Sequence, residues 1–273
     1  MRFASLGSGS EGNALVVELL GASRGDEPGT TCAAIPAPAG FLLIDCGFAL
    51  KEVVRRLARL GLEIGGLRAI LVTHEHSDHV GGVFRLAAAA GVPVYLTYGT
   101  REGARRVPSF QEQACRLITP DQPIEIHGLG VTPFPVPHDA REPVQFVFED
   151  HGSRLGVLTD IGRSTPHVVN ALAGLSALIL EANHDRSLLA QGNYPPSLKR
   201  RIGGDFGHLE NQAAAAILAS LDRTRLKTVV AAHLSRQNNR AELARLALAD
   251  VLGCAPDSVP VADQDLGLDW QRA

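Results

Sequence analysis

The sequence has no long apolar run. Its opening stretch, Met1-Arg2-Phe3-Ala4-Ser5-Leu6-Gly7-Ser8-Gly9-Ser10, is too polar for the apolar region of a signal peptide. Nothing further along reaches the length of a membrane-spanning helix. These absences argue against a membrane partner and predict a cytoplasmic protein. Cysteine is sparse and scattered: Cys32, Cys46, Cys115 and Cys254 form no CxxC pair, so they read as reduced and mostly structural. Lysine is scarcer still, since Lys51, Lys199 and Lys227 are the only lysines among 26 basic residues. A net charge of −3 leaves no global basic field to attract a polyanion. Local patches remain at Arg101/Arg105/Arg106, Lys199-Arg200-Arg201, Arg223/Arg225/Lys227 and Arg236/Arg240. Arginine forks phosphate in two-pronged fashion and suits a phosphodiester ligand. A GC-rich genome yields the same arginine and alanine bias, so the count alone decides little.

What is present is an ordinary globular composition, 45% apolar and 20% charged over 273 residues, enough to bury a sizeable core. Strand-like runs recur at Ala14–Leu20, Phe41–Asp45, Ala69–Thr73, Val92–Thr97, Val131–Pro135, Val144–Glu149, Arg154–Asp160, Ala177–Glu181 and Thr228–His233. Helical patterns lie between them at Leu50–Leu60, Gly82–Ala90, Thr100–Val107, Pro166–Leu172, Leu209–Leu221 and Arg240–Leu252. Two mixed sheets packed together with helices outside, an α+β architecture, fit this order better than regular βαβ alternation. No linker or composition break divides residues 1–273, which predicts one domain. Two stretches break the rhythm. Gly21–Gly40 reads as an exposed insertion between strands. Gly192–Gly207 reads as a proline- and arginine-containing loop, long enough to be functional and expected to flank the active site.

Six residues, His74-Glu75-His76-Ser77-Asp78-His79, follow the apolar run Ala69-Ile70-Leu71-Val72-Thr73 and precede Gly81-Gly82. A strand running out into this loop aims several ligand-capable side chains at one point. Imidazole and carboxylate suit zinc, iron and manganese, so the window predicts a metal rather than a polar surface loop. Four further strand ends carry ionisable groups: His138, Asp160, Glu181 and His233. One such residue is ordinary at a strand exit; four beside His74–His79 form a site.

HxHxDH followed by single His, Asp and His residues at strand ends resembles the metallo-β-lactamase superfamily. The resemblance extends from Gly7-Ser8-Gly9-Ser10 and Asn13 to His233. Shorter matches, Ser8-Gly9-Ser10-Glu11-Gly12-Asn13, Asp45-Cys46-Gly47, Glu181-Ala182-Asn183-His184-Asp185, Gly207-His208-Leu209-Glu210-Asn211 and His233-Leu234-Ser235, resemble its YycJ/WalJ-type exonuclease-like branch. The resemblance implies a four-layer αββα sandwich with two divalent metal ions at the edge of its sheets. It implies His74, His76 and His138 on one metal, Asp78, His79 and His233 on the other, and Asp160 bridging. Asp78 stands where some relatives use sulfur. Oxygen there makes manganese or iron as plausible as zinc. Asp45 is expected behind the ligands, accepting a histidine N–H, or else as a strand-end turn aspartate.

In related tRNA 3′-processing endonucleases a histidine paired with a glutamate protonates the leaving oxygen; the matching pair here is His208 and Glu181. That pair points to a phosphodiester, whose departing alkoxide needs a proton. The functional expectation is a dinuclear-metal nuclease or phosphodiesterase, with a 5′-to-3′ DNA exonuclease favoured and DNA as partner. Its catalytic groups would be a hydroxide shared by the metals, Asp78 among their ligands, and His208 with Glu181. The alternative is hydrolysis of a small thioester, lactone or lactam. Ser8, Ser10 and Asn13 lie in a glycine-rich turn that either offers N–H groups to phosphate or supports the metal loop. His184, Arg236, Asn238 and Asn239 are candidate substrate contacts. His127, His151 and His167 read as solvated.

Overall fold

The computed structural model describes residues 1–19 and 40–273. The insertion expected at Gly21–Gly40 therefore lies, apart from Gly40, outside the described residues. Thirteen strands form two mixed sheets among the described residues. The first has seven strands: β1 (Arg2–Gly7), β2 (Ala14–Leu19), β3 (Gly40–Ile44), β4 (Leu67–Leu71), β5 (Val94–Leu96), β6 (Cys115–Leu117) and β13 (Leu268–Arg272), in the order β13-β1-β2-β3-β4-β5-β6. The second has six: β7 (Ile124–Ile126), β8 (Leu129–Pro135), β9 (Val144–Asp150), β10 (Ser153–Leu158), β11 (Ala177–Glu181) and β12 (Thr228–Ala232), in the order β12-β11-β10-β9-β8-β7. The β3-β4-β5-β6 and β10-β11-β12 neighbours run parallel, whereas the β13-β1-β2-β3 and β7-β8-β9-β10 neighbours run antiparallel.

Why the sequence stacks this way follows from side-chain alternation. Successive strand residues point to opposite faces, and a strand buried on both faces must be apolar at every position. In β2, Leu15, Val17 and Leu19 face the other sheet, while Ala14 and Val16 face helices. In β11, Ala177 and Ile179 face the other sheet, while Leu178 and Leu180 face helices. The central layer also takes Phe3, Phe146 and Phe148 from β1 and β9. Helices α1 (Leu50–Arg59) and α3 (Val83–Ala90) cover the first sheet. Helices α5 (Pro166–Ala171), α8 (Asn211–Ser220) and α9 (Ala241–Leu252) cover the second. The result is the αββα sandwich.

Sequence periodicity misses β1, β6, β7 and β13. The reason is visible in their composition and length: β1 is interrupted by Ser5 and Gly7, β6 and β7 have three residues each, and β13 is largely polar. Strand β13 forms only because β1 offers it a free edge some 270 positions away in the chain, where Arg2 pairs with Arg272. The stretch expected as a Gly192–Gly207 loop is corrected in part, because it contains helix α7 (Pro196–Ile202). Two prolines obscure the helix in sequence, yet Pro196 sits in its first turn, where the missing N–H costs nothing.

Candidate metal centre

The sandwich collects its parallel-strand exits at one edge. β4 leads to His74 and His76, then to the one-turn helix α2 (Ser77–Val80), which carries Asp78 and His79. β8 leads to His138, β10 to Asp160, β11 ends at Glu181, and β12 leads to His233. Ligand-capable atoms of His74, His76 and His138 lie together, as do those of Asp78, His79 and His233; Asp160 groups with His74 and His79 on one side and with His233 on the other. The seven residues expected as metal ligands are thus gathered into two adjoining clusters.

The hydrogen bonds behind these side chains set which atoms face inward. Asp45, at the exit of β3, accepts from Thr73 N–H and Thr73 Oγ1, each at 2.8 Å, and from His79 Nδ1 at 2.8 Å. His74 Nδ1 lies 2.9 Å from Thr73 Oγ1, whose own hydrogen goes to Asp45, so Nδ1 is the donor. His138 Nδ1 donates to the Gly207 carbonyl at 3.0 Å. The Nε2 atoms of His74 and His138 therefore present lone pairs, and they lie 3.0 Å and 3.3 Å from His76 Nδ1. A proton on His76 Nδ1 can serve only one of these two acceptors, whereas a cation among the three nitrogens satisfies all of them. Across the cleft, Asp160 Oδ2 and His233 Nε2 are buried without a well-formed hydrogen bond, their contacts being 3.2 Å from Asp160 Oδ2 to His79 Nε2 and 3.4 Å from His233 Nε2 to Asp160 Oδ1. Buried carboxylate and imidazole groups packed this way are costly for a folded protein and ordinary for a metal site. The residues present fit divalent cations.

Charge balance points the same way. Burial works against protonating His233, but Asp160, Asp78 and Glu181 outweigh it and hold the ring up to about 10. Burial also opposes a charge on His79, and Asp160, Asp45 and Asp78 overcome it. Carboxylates here demand positive charge, which protons supply where metal does not. Conversely His74, fully enclosed among other histidines, is driven well below its ordinary value by burial and then by its neighbours. It is ready to ligate as the neutral ring.

Backbone geometry reinforces the clustering. Asp45, Asp160 and His233 adopt left-handed φ values of 59°, 51° and 55°. Such conformations cost about 1–3 kcal/mol for residues other than glycine and persist only where surrounding contacts dictate them. Each lies at a strand exit, where the turn aims the side chain along the edge.

His208 and Glu181 meet as expected. Glu181 Oε1 accepts from His208 Nδ1 at 2.8 Å and lies 3.3 Å from His233 Nδ1. Glu181 Oε2 accepts from the N–H of Ile161 at 2.9 Å and of Leu209 at 3.3 Å. Burial pulls the His208 ring towards neutrality, but Glu181 and Asp160 more than compensate and raise it. The His208 ring stacks on that of His233, with centroids 5.3 Å apart. It opens onto a cleft of about 320 Å³ that also exposes His76, Asp78, Asp160 and His233.

The expected substrate contacts fare differently. Ser8 is buried and accepts from the His233 N–H at 2.9 Å. Asn13 is buried too, its amide 3.0 Å from His79 Nε2 and 3.4 Å from Asp78 Oδ2. Both support the metal loops, as the second reading of that turn has it; Ser10 alone of the three lines the cleft. His184 is buried at the start of the α6 (Arg186–Gln191) connection and does not line the cleft. Asn238 and Asn239 are buried among Ser235, Asn211 and Ala182. Arg236 is tied to Glu11 and Asp265 at the surface. Sequence reasoning missed Asp139 and Arg201, which pair with each other and line the cleft. The available signal was the Lys199-Arg200-Arg201 patch inside the rhythm-breaking stretch, which α7 folds over the site.

Residues 41–233 match the family model of the Beta-lactamase superfamily domain. Over 253 residues the chain is 34% identical to exodeoxyribonuclease YycJ of Bacillus anthracis, covering 92% of this chain and 89% of that one. It is 28% identical over 273 residues to exodeoxyribonuclease WalJ of Streptococcus pneumoniae, covering 99% of this chain and 92% of the other. The crystal structure of Zn²⁺-bound PqqB from Methylobacterium extorquens shares the fold with a TM-score of 0.68 at 19% identity, covering 100% of both chains. The fold and the metal-fitting edge define a metal-dependent hydrolase. The chain belongs to the metallo-β-lactamase superfamily, as a YycJ-like member of it. Among the described residues no helix is long and apolar enough to cross a membrane.

Proposed function

We propose that this protein is a dinuclear-metal-dependent phosphodiesterase acting as a 5′-to-3′ exonuclease on DNA. The observation that carries the reading is the His208–Glu181 pair, set beside both ligand clusters in one cleft. Expulsion of an alkoxide from phosphorus calls for a proton donor at the departing oxygen, whereas a thiolate leaves a thioester without one. DNA as substrate is supported by the exodeoxyribonuclease relatives, and the 5′-to-3′ polarity by the resemblance to the YycJ/WalJ-type branch.

His74, His76 and His138 would hold one cation, Asp78, His79 and His233 the other, and Asp160 would lie between them. When bound, zinc, manganese or iron would supply an activated nucleophile and offset charge building on phosphorus. Glu181 holds His208 by Nδ1, which leaves Nε2 to face the cleft and carry the proton. Against the pull of burial, the carboxylate and Asp160 raise the ring's hold on that proton, which favours the acid form. Transfer from Nε2 to the departing oxygen leaves a neutral imidazole still anchored on Glu181.

The test is cleavage of end-labelled single- and double-stranded DNA and RNA by manganese- or zinc-loaded protein, with Asp78→Ala and His208→Ala variants. Mononucleotides released from DNA 5′ ends, absent with Asp78→Ala, are expected. His208→Ala should lower turnover about 10²- to 10⁴-fold while keeping its metal content. Metal lost together with activity in His208→Ala would refute the acid role. Turnover of a thioester or lactone with every strand left intact would refute the nuclease.

A further inference from the structure

A second depression adjoins the metal cleft and shares two of its residues. His76 and Ser77 line both the cleft and a groove of about 510 Å³, which continues past Glu75 to Arg106 and Arg141. Most arginines on this acidic protein are engaged by carboxylates: Arg55 and Arg56 by Glu52, Arg101 and Arg105 by Glu102 and Glu112, Arg186 by Glu210, Arg201 by Asp139. Arg106 and Arg141 are not, and unlike Arg85, Arg200, Arg240 and Arg272, similarly unpaired among the described residues, they line the groove. Both are exposed, both line the groove, and neither makes an ion pair or side-chain hydrogen bond among the described residues. Two guanidinium groups left free along one continuation of a hydrolytic cleft are suited to an anion held there repeatedly.

The groove is built rather than incidental. Glu75, between two expected ligands, accepts from the Arg141 backbone N–H at 3.0 Å and so ties the Arg141 turn to the metal loop. Helix α4 (Tyr98–Ala104) comes close enough on the other side that a Cβ on Gly103 would fall 2.4 Å from Glu75 Cγ. Glycine at that position lets α4, and Arg106 just beyond it, lie against Glu75. The backbone bearing Arg141 and the helix end preceding Arg106 are thereby packed on Glu75, next to His76 in the chain.

We infer that the groove from His76 and Ser77 to Arg106 and Arg141 carries the DNA strand beyond the scissile phosphate, with the two arginines contacting successive backbone phosphates. The inference rests on the nuclease reading and extends it: the enzyme grips a polymer, with a footprint wider than the cleaved bond. It also explains how a protein of net charge −3 engages a polyanion, through two groove arginines set against the single carboxylate of Glu75 instead of a global field.

The test compares wild-type metal-loaded protein with an Arg106→Ala/Arg141→Ala variant on long single-stranded oligodeoxynucleotides, on dinucleotides and on bis(p-nitrophenyl) phosphate. The ratio of kcat/KM for the long strand to that for the small diester should fall about tenfold or more, chiefly through KM. The dependence of log KM on log salt should flatten by about 1.4, some 0.7 for each phosphate contact removed from a single strand. An Arg106→Lys/Arg141→Lys variant should restore most of the loss, because a phosphate contact needs charge more than a fork. Wild-type cleavage of long strands with an unchanged ratio and salt slope in the alanine variant would overturn this inference and leave the nuclease reading intact. Equal losses on all three substrates would also overturn it, since the arginines would then act on the cleaved bond. Absence of strand cleavage by the wild-type protein would overturn both readings together.

Discussion

Asp45 shows how much one carboxylate can organise from behind the expected ligands. Its two oxygens accept from Thr73 and His79, and through Thr73 they also fix the tautomer of His74. One residue thus orients a histidine in each cluster. Partners behind metal ligands of this kind alter affinity by about 10- to 100-fold. Asp45→Asn is close in shape and removes the negative acceptor, so a weakening of divalent-metal binding within that range is expected in chelator competition. An affinity equal to wild type would reduce Asp45 to a turn residue whose left-handed φ is its whole significance. The buried pair His208–Glu181 follows similar logic, with a carboxylate fixing a ring so that the opposite nitrogen faces the cleft. Arg201 and Asp139 form the rim pair that motif reading did not identify, because the Lys199-Arg200-Arg201 patch does not say which carboxylate it meets.

At the scale of elements, the metal motif depends on two turns that touch. The chain leaving β3 passes under α2 so closely that a Cβ on Gly47 would lie 2.0 Å from the Asp78 carbonyl carbon's oxygen. That carbonyl accepts from Asn13 N–H at 2.8 Å, and the Asn13 carbonyl in turn accepts from Gly47 N–H at 3.0 Å. A methyl group cannot enter without pushing α2, and with it Asp78 and His79, away from β12. Gly47→Ala is therefore expected to destabilise the fold by about 1–3 kcal/mol, read as a lowered Tm, and to weaken metal binding with it. A variant with wild-type Tm and metal affinity would show that the turn yields more easily than its contacts suggest. Helix α7 works by addition, laying Leu198, Arg201 and Ile202 over a cleft that the strand exits alone would leave open.

Over the whole molecule, the two sheets close on a continuous apolar layer, and Cys46 lies where the first sheet meets the metal loops. Its thiol is buried and pushed up to about 12, first by burial, with the nearby Asp45 charge adding to it. Thiolate is the reactive form, so at mildly alkaline pH Cys46 has almost none and no access to reagent. Exposed Cys254 should react with iodoacetamide in the native protein, while Cys46 reacts only once the sandwich opens; mass spectrometry of alkylated peptides along a denaturant series reads both. Early labelling of Cys46, before loss of secondary structure, would mean that the metal edge opens independently of the sheets.

The chemistry of this protein was legible before its folding. His74, His76, Asp78, His79, His138, Asp160, Glu181 and His233 could be named as candidates because an apolar run leading to ligand-capable residues is visible in a short window, whereas His208, which follows no strand, is named through the family resemblance. The double-sided burial of β2, β9 and β11 was equally readable as near-continuous apolar runs. What needed tertiary structure were relations between distant segments. Strand β13 is polar and exists through its pairing with β1, and α7 is hidden by prolines until its place over the cleft is seen. His184, Arg236 and Asn238 lie beside site residues in sequence and Ser8 and Asn13 in a glycine-rich turn, yet place along a chain does not say which way a side chain turns: four of the five are buried and Arg236 is held by surface carboxylates. The sequence placed Arg106 in a local basic patch with Arg101 and Arg105, and gave Arg141 no special standing. Only the folded chain leaves them unpaired along a groove that begins at His76, because pairing between charges is decided by which distant carboxylates come within reach.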